Sequence, residues 1–374
     1  MDKAGKIALR ILPLLSILWL GGCAVSPQPE GNYWRVNDCP ANPPDREIHP
    51  ALAKELKRSS SSMTASAIDS LKKANAFNRE LDGLNKLRRY YAASTVPYPG
   101  KDIEIVSRAM DDGEIPLRVY IPAAARKNKL PVVLYFHGGG WCLGSAANTD
   151  IISIGLCRAI PAIVVSVDYR LAPENPFPAA LDDAVAAIGW VGKNTAEFNA
   201  DPRRVYLAGD SAGGNLAAAA GLRNTVEKGP EVKGVILFYP VVNLLKTAAF
   251  SWTRFGNGYG LDTSLVEAFI NCYTPYPKER NRHYASPLFA DMRYMPPALV
   301  VTAQFDPLRD DAGKFAERMR QQSRPVRYVC LPGMTHAYLE TPALKEEYAA
   351  TMKEAAEFVR QTSTPANASP APAK

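Results

Sequence analysis

Long apolar runs are almost missing from this sequence. Only Ile11–Leu20 qualifies, and its ten residues fall short of the ~20 that a membrane-spanning helix needs. A polytopic membrane protein is thereby excluded. Histidine is scarce, at four residues. No HExxH, zinc-type Cys/His spacing or EF-hand loop occurs, so no metal is expected. No P-loop or G-x-G-x-x-G is present either. Gly256-x-Gly258-x-Gly260 has the wrong spacing, and no cofactor is expected. There is no CxxC and no internal repeat. Basic residues form no dense stripe beyond Lys86, Arg88 and Arg89, which read as a solvated helix face. The formal charge of +7, from 44 basic and 37 acidic residues, is mild over 374 residues and points to no nucleic-acid partner.

What is there is an ordinary globular balance, 47% apolar and 22% charged. It supplies a sizeable core and excludes a disordered or collagen-like chain.

The N-terminus reads as an address. Lys3, Lys6 and Arg10 precede the apolar run, and Gly21-Gly22-Cys23 follows it, in the layout of a secretory signal peptide. Leu20-Gly21-Gly22-Cys23 also resembles the lipobox of bacterial lipoproteins. That resemblance implies cleavage before Cys23, lipidation of its thiol and a stable membrane anchor. Ala24, where such proteins carry Asp for inner-membrane retention, implies the outer membrane, facing the periplasm. Residues 1–22 are therefore expected to be a leader, and the Pro- and Asn-rich 23–50 a tether. One folded domain is expected over 51–361, with a disordered Pro/Ala/Ser tail over 362–374. Of six cysteines, five remain beside Cys23. They read as mostly buried thiols with room for one bridge, whose pair spacing does not reveal.

Residues 51–92 are helix-compatible, with Leu71, Phe77, Leu81 and Leu84 near helical spacing. Short β-rich runs follow from Asp102: Ile103–Val106, Leu117–Ile121, Val132–Phe136, Ile163–Val167, Val205–Ala208, Val235–Tyr239, Ala298–Thr302 and Val326–Leu331. Helix-length segments separate most of the later ones, including Ala179–Trp190, Ala212–Val226, Asp311–Gln322 and Leu344–Val359. Continuous apolar strands alternating with such helices predict an α/β fold: a mainly parallel, eight-stranded sheet covered on both faces. The first two strands lack a helix between them and are expected to pair antiparallel. Val241–Met295 interrupts the alternation with a Tyr-, Phe- and Trp-rich stretch. Long insertions of this kind are usually functional or lids. Its aromatics fit a substrate pocket or the core of a lid, and Trp252 and Phe255 are the first candidates for pocket contacts.

The chemistry centres on Gly209-Asp210-Ser211-Ala212-Gly213, a G-x-S-x-G between a strand and an Ala-rich helix. A sharp strand-to-helix turn exposes the serine Oγ, and the helix N-terminus behind it favours developing negative charge. His137-Gly138-Gly139-Gly140 follows another strand and matches an oxyanion motif; bare glycine amides can face a cavity. His137 is expected to hold that loop and not to react. A serine needs a base. His49 lies in the tether and His283 in the insertion, which leaves His336, just past the strand ending at Leu331. An orienting acid is expected between serine and base in chain order. Asp306 fits; Asp310 and Asp311 read as helix-start charges, and Glu340 is out of order.

Together these residues resemble the hormone-sensitive-lipase-type branch of α/β-hydrolase esterases. The resemblance runs from about Asp102 to Arg360, through Ile115–Tyr120, His137–Gly140, Asp168–Glu174, Gly209–Gly214, Ser286–Leu288, Asp306–Leu308 and His336. It implies an α/β-hydrolase fold with a helical cap built from 51–99 and 241–295. It implies Ser211 as nucleophile, Asp306 as acid and His336 as base. It also implies an oxyanion hole at the amides of Gly139, Gly140 and Ala212, with Gly138 shaping the loop and Asp168, Arg170 and Glu174 supporting it. His336-Ala337-Tyr338 replaces the commoner His-Gly-Phe. The expected function is a serine carboxylesterase acting on small acyl esters through an acyl-enzyme. The alternative is a non-catalytic ligand-binding lipoprotein on the same scaffold, against which stands the presence of all three triad residues. A rival Ser70-Leu71-Lys72-Lys73 fits S-x-x-K, but its partner motifs S-D-N and K-T-G are absent.

Overall fold

The computed structural model describes residues 47–363, apart from 59–60, 76–77, 79, 94–99, 111–113 and 124–128. The expected leader, Cys23, most of the tether, Phe77 and the tail from 364 onward lie outside the described residues.

Three helices come first: α1 (Pro50–Arg58), α2 (Ser61–Ala74) and α3 (Asp82–Ala93). Strands β1 (Ile103–Met110) and β2 (Ile115–Pro122) then pair antiparallel, as their short connection requires. Alternation follows with β3 (Leu130–Phe136), α4 (Asp150–Ala159), β4 (Ile163–Val167), α5 (Ala179–Asn194), β5 (Ala200–Asp210), α6 (Ala212–Val226) and β6 (Val232–Phe238). The aromatic insertion carries α7 (Phe250–Arg254) and α8 (Thr263–Tyr273). The chain closes with β7 (Ala298–Phe305), α9 (Arg309–Gln321), β8 (Val326–Thr335) and α10 (Lys345–Ser363). Helix α10 therefore includes the first two residues expected in the tail. Helix α4 has no counterpart among the segments read from the sequence. It is buried over most of its length, so its apolar residues show no one-sided stripe.

The eight strands form one sheet in the order β1-β2-β4-β3-β5-β6-β7-β8. Strands β3 to β8 run parallel, and β2 is antiparallel to both neighbours. Alternate side chains feed two cores. Val132, Leu134 and Phe136 face one side with residues of α2, α5, α6, α8 and α9. Val133 and Tyr135 face the other with residues of α4 and α10. Helix α6 is buried along almost its whole length, and its Ala217–Ala220 run lets it lie close to the strands. Because β3, β5, β6, β7 and β8 are parallel neighbours, their carboxyl ends open onto one edge of the sheet. Ligand sites of open α/β sheets form at such an edge.

Candidate active site

Ser211 follows β5 directly, at φ 54° and ψ −117°. A non-glycine residue in so sparsely populated a region costs roughly 1–3 kcal/mol and persists only where its surroundings hold it. Here they do: the Ser211 amide donates to the Phe238 carbonyl at 2.9 Å, and its carbonyl accepts from Val241 at 3.1 Å. The following glycine is dictated by crowding. A Cβ on Gly213 would stand 1.9 Å from the Phe136 carbonyl oxygen, so only glycine lets α6 start against β3.

His336 lies just beyond β8. Its Nε2 is 2.9 Å from Ser211 Oγ, and its Nδ1 is 2.7 Å from Asp306 Oδ2. Asp306 follows β7, is 1% exposed, and accepts from the Leu308 amide at 2.8 Å through its other oxygen. Burial disfavours a charged His336 ring, but the Asp306 carboxylate outweighs it and raises the imidazole above its usual range. The three residues singled out for nucleophile, acid and base are thus brought into one hydrogen-bonded chain.

The glycine loop after β3 faces Ser211. Gly139 and Gly140 sit at φ 106° and 61°. A Cβ on Gly140 would lie 2.3 Å from the Phe269 ring, so the loop passes under α8 only as glycine. The Gly139 carbonyl accepts from Cys142 and Leu143 at 3.1 and 2.9 Å and closes the turn. The amides of Gly139, Gly140 and Ala212 donate to no protein acceptor among the described residues. His137 is buried, with Nδ1 2.8 Å from the Gly138 carbonyl and its ring stacked on Tyr169 at 4.3 Å. Burial lowers its pKa. Trp141 stacks on Tyr273 of α8 at 4.4 Å.

The supports implied by resemblance divide. Asp168 accepts from the Ala146 amide at 2.5 Å, within the loop. Glu174 reaches the loop through Arg88, to which it is paired at 2.6 Å. Arg170 instead binds Asp183 on α5 at 2.6 Å, because that buried carboxylate is its nearest partner. Arg88 itself corrects the sequence reading of a solvated face. Lys86 and Arg89 are exposed, but Arg88 turns inward onto the loop.

The two pocket candidates are packed among other side chains. Trp252 lies within the larger core, and Phe255 joins Phe250, Tyr259 and Phe305 in an aromatic cluster over Arg309. None of these ring contacts reaches Ser211 or His336. His283 stands against Tyr284 at 4.2 Å, and His49 lies 3.8 Å from Glu347.

Sequence reasoning missed a buried polar cluster behind the histidine. Tyr239 packs edge-on to His336 at 4.9 Å. Asp210 is 1% exposed and accepts from Tyr135 at 2.5 Å. Burial pushes its pKa up to about 6, against the hydrogen bond from Tyr135 and the charge of His336. Glu340 accepts from Tyr91 of α3 at 3.3 Å, and burial beside Asp210 pushes it up to about 7. Only the G-x-S-x-G spelling with Asp before the serine hinted at Asp210, and Glu340 stood out only as an acid out of chain order. Cys142, Cys157 and Cys272 are free and buried. Cys330 is disulfide-bonded. Among the described residues, no group of three His, Cys, Asp or Glu side chains is arranged to hold a metal.

The chain matches the alpha/beta hydrolase fold family over residues 133–340. It is 39% identical over 267 residues to carboxylesterase NlhH of Mycobacterium tuberculosis, covering 69% of this chain and 83% of that protein. An arylesterase of Saccharolobus solfataricus is 38% identical over 238 residues, 62% of this chain and 76% of its own length. Among solved structures, a hyperthermophilic esterase from Pyrobaculum calidifontis superposes with a TM-score of 0.74 at 32% identity, over 85% of this chain and 99% of its own.

Proposed function

The chain belongs to the alpha/beta hydrolase fold family and is a carboxylic ester hydrolase; we propose that it cleaves small acyl esters through Ser211, His336 and Asp306. The observation that carries this reading is the unbroken chain from Ser211 Oγ through the imidazole to Asp306. His336 Nδ1–H donates to Asp306, which leaves Nε2 free to accept the Ser211 proton. As Oγ bonds to the ester carbonyl, that proton passes to Nε2, and Asp306 stabilises the imidazolium. The carbonyl oxygen gains charge within reach of the Gly139, Gly140 and Ala212 amides, in a loop shaped by Gly138. Each such donor is worth about 3–4 kcal/mol in the transition state. The ester C–O bond then breaks, and the alcohol leaves with the proton from His336. Water adds to the acyl-enzyme, giving its proton to Nε2. The Ser211–acyl bond breaks, the acid departs, and Oγ regains its hydrogen. Helices α1–α3 and the 241–295 insertion serve as the cap.

Cys23 is the proposed lipid anchor, holding the enzyme in the outer membrane with the domain in the periplasm. The disulfide at Cys330 supports an exported chain, since such bonds persist in oxidising compartments.

The test is hydrolysis of p-nitrophenyl esters, from acetyl to palmitoyl, beside Ser211→Ala. Short esters are cleaved by the wild type and not by the variant. A wild type inert on every ester, with Ser211 unlabelled by a serine-directed phosphonate, would refute the mechanism and favour a binding role.

A further inference from the structure

We infer that Arg88 is a positioning residue that ties helix α3 to the oxyanion loop, so that the loop holds its reactive shape only while α3 is docked. The inference rests on the serine-esterase reading for its kinetic consequence, though not for its geometry.

A guanidinium offers five N–H donors in a rigid fork. Arg88 uses the fork on five contacts. Nε donates to the Cys142 carbonyl at 2.9 Å, and one Nη to the Ala172 carbonyl at 3.0 Å. The two Nη atoms grip both Glu174 oxygens at 2.6 and 2.9 Å. The fifth contact is Asn85 Oδ1, on its own helix, at 3.3 Å. Burial of Glu174 opposes its charge, but the Arg88 hydrogen bonds prevail and hold the carboxyl below its usual range.

These partners are not incidental surface groups. Cys142 is the residue whose amide closes the turn on Gly139. Ala172 donates its own amide to the Trp141 carbonyl at 2.9 Å. Arg88 therefore clamps both sides of the small ladder from which Gly139 and Gly140 hang. The opposite side of the loop is held by Trp141 on Tyr273 and by Phe269 against Gly140. Without Arg88 the turn still closes on itself, but its lateral tie is gone and two carbonyls lose their donor. Misplacing a catalytic group by 1 Å costs about 100-fold in rate. A partial shift of two amides should cost ~10- to 100-fold in kcat, with little change in KM, because the amides act mainly on the tetrahedral state.

Arg88→Met and Arg88→Lys test this in the full mature chain, with Arg89→Met as the exposed neighbour control. Three measurements are made: kcat and KM on a cleaved p-nitrophenyl ester, the inhibition constant of a trifluoromethyl ketone, and amide hydrogen exchange of the 137–146 peptide. We expect kcat to fall ~10- to 100-fold in both Arg88 variants with KM within about 3-fold. Ketone affinity should weaken in step with kcat, and exchange of the loop should quicken. Lysine presents one nitrogen to carbonyls and a carboxylate that lie apart, so it should not rescue. Loop exchange equal to wild type would overturn the inference whatever the activity. So would full rescue by lysine, or a fall in kcat without a matching loss of ketone affinity. A wild type that cleaves no ester would defeat the esterase reading, and the exchange data would still decide whether Arg88 holds the loop.

Discussion

Asp210→Asn should make the protein more stable at alkaline pH and a poorer enzyme at the same time. Asp210 is buried beside Ser211, and burial raises its pKa from 3.8 to about 6. A carboxyl raised in the folded state binds its proton more tightly there than in the unfolded chain. Its contribution to stability therefore falls as pH rises from about 4 to about 6 and stays low above that. Two units at 1.36 kcal/mol each correspond to about 3 kcal/mol of destabilisation at pH 8. Asparagine is a neutral stand-in for the protonated form, so the variant should gain up to that amount over wild type at pH 8 and almost nothing at pH 4. The cost falls on the loop. The carboxylate accepts from Tyr135 and from the Gly138 amide together. Asparagine has a single acceptor oxygen and turns an NH2 towards one of those donors. A slight displacement of Gly138 should lower kcat by roughly 10-fold, less than a full 1 Å misplacement. Urea unfolding at several pH values gives the first quantity and ester hydrolysis the second. A stability difference that does not grow between pH 4 and pH 8 would refute the electrostatic argument.

Other expectations follow from the same centre. As the proposed base, His336 has to be neutral, so kcat/KM should fall as pH drops through its raised pKa. Glu340 contributes to that raised value, and Glu340→Gln should move the acid limb to lower pH; an unmoved limb would show that its charge does not reach the ring. Gly140→Ala brings a methyl to 2.3 Å from the Phe269 ring at φ 61° and should reduce kcat at least ~100-fold. Adding Phe269→Ala should restore part of the loss, and no restoration would exclude that clash as the cause. Peptide mapping without reductant should find Cys330 joined to Cys39, since Cys142, Cys157 and Cys272 are free and Cys23 is the proposed acylation site. Recovery of Cys330 as a free thiol would argue against an oxidising compartment.

Much of this was readable one residue at a time. Val132–Phe136 and Ile163–Val167 are apolar on both sides, so they had to be central strands of a covered sheet. The glycines at 139, 140, 209 and 213 announced close approaches of backbone, and those approaches are present. Ser211, Asp306 and His336 stood out because each follows a strand in the chain order a serine hydrolase requires. Local pattern was enough because strand period, turn chemistry and motif spacing are properties of neighbouring residues.

Other features depend on residues far apart in the chain. Arg88 resembled its exposed neighbours Lys86 and Arg89 until α3 was laid against Cys142 and Glu174. Arg170 looked like a loop support and turned to Asp183. Trp252 and Phe255 suggested a pocket and lie in packed clusters. Asp210 gains its raised pKa from burial, and Glu340 from burial together with the nearby charges of Asp210 and Glu55. The sequence by itself determined the strands and the turns and singled out Ser211, Asp306 and His336 as candidates, because strand period, turn chemistry and each residue's place after a strand are local features. Only the tertiary structure decided the charge state and the bracing of the site, because desolvation and long-range hydrogen bonds arise when separate segments meet.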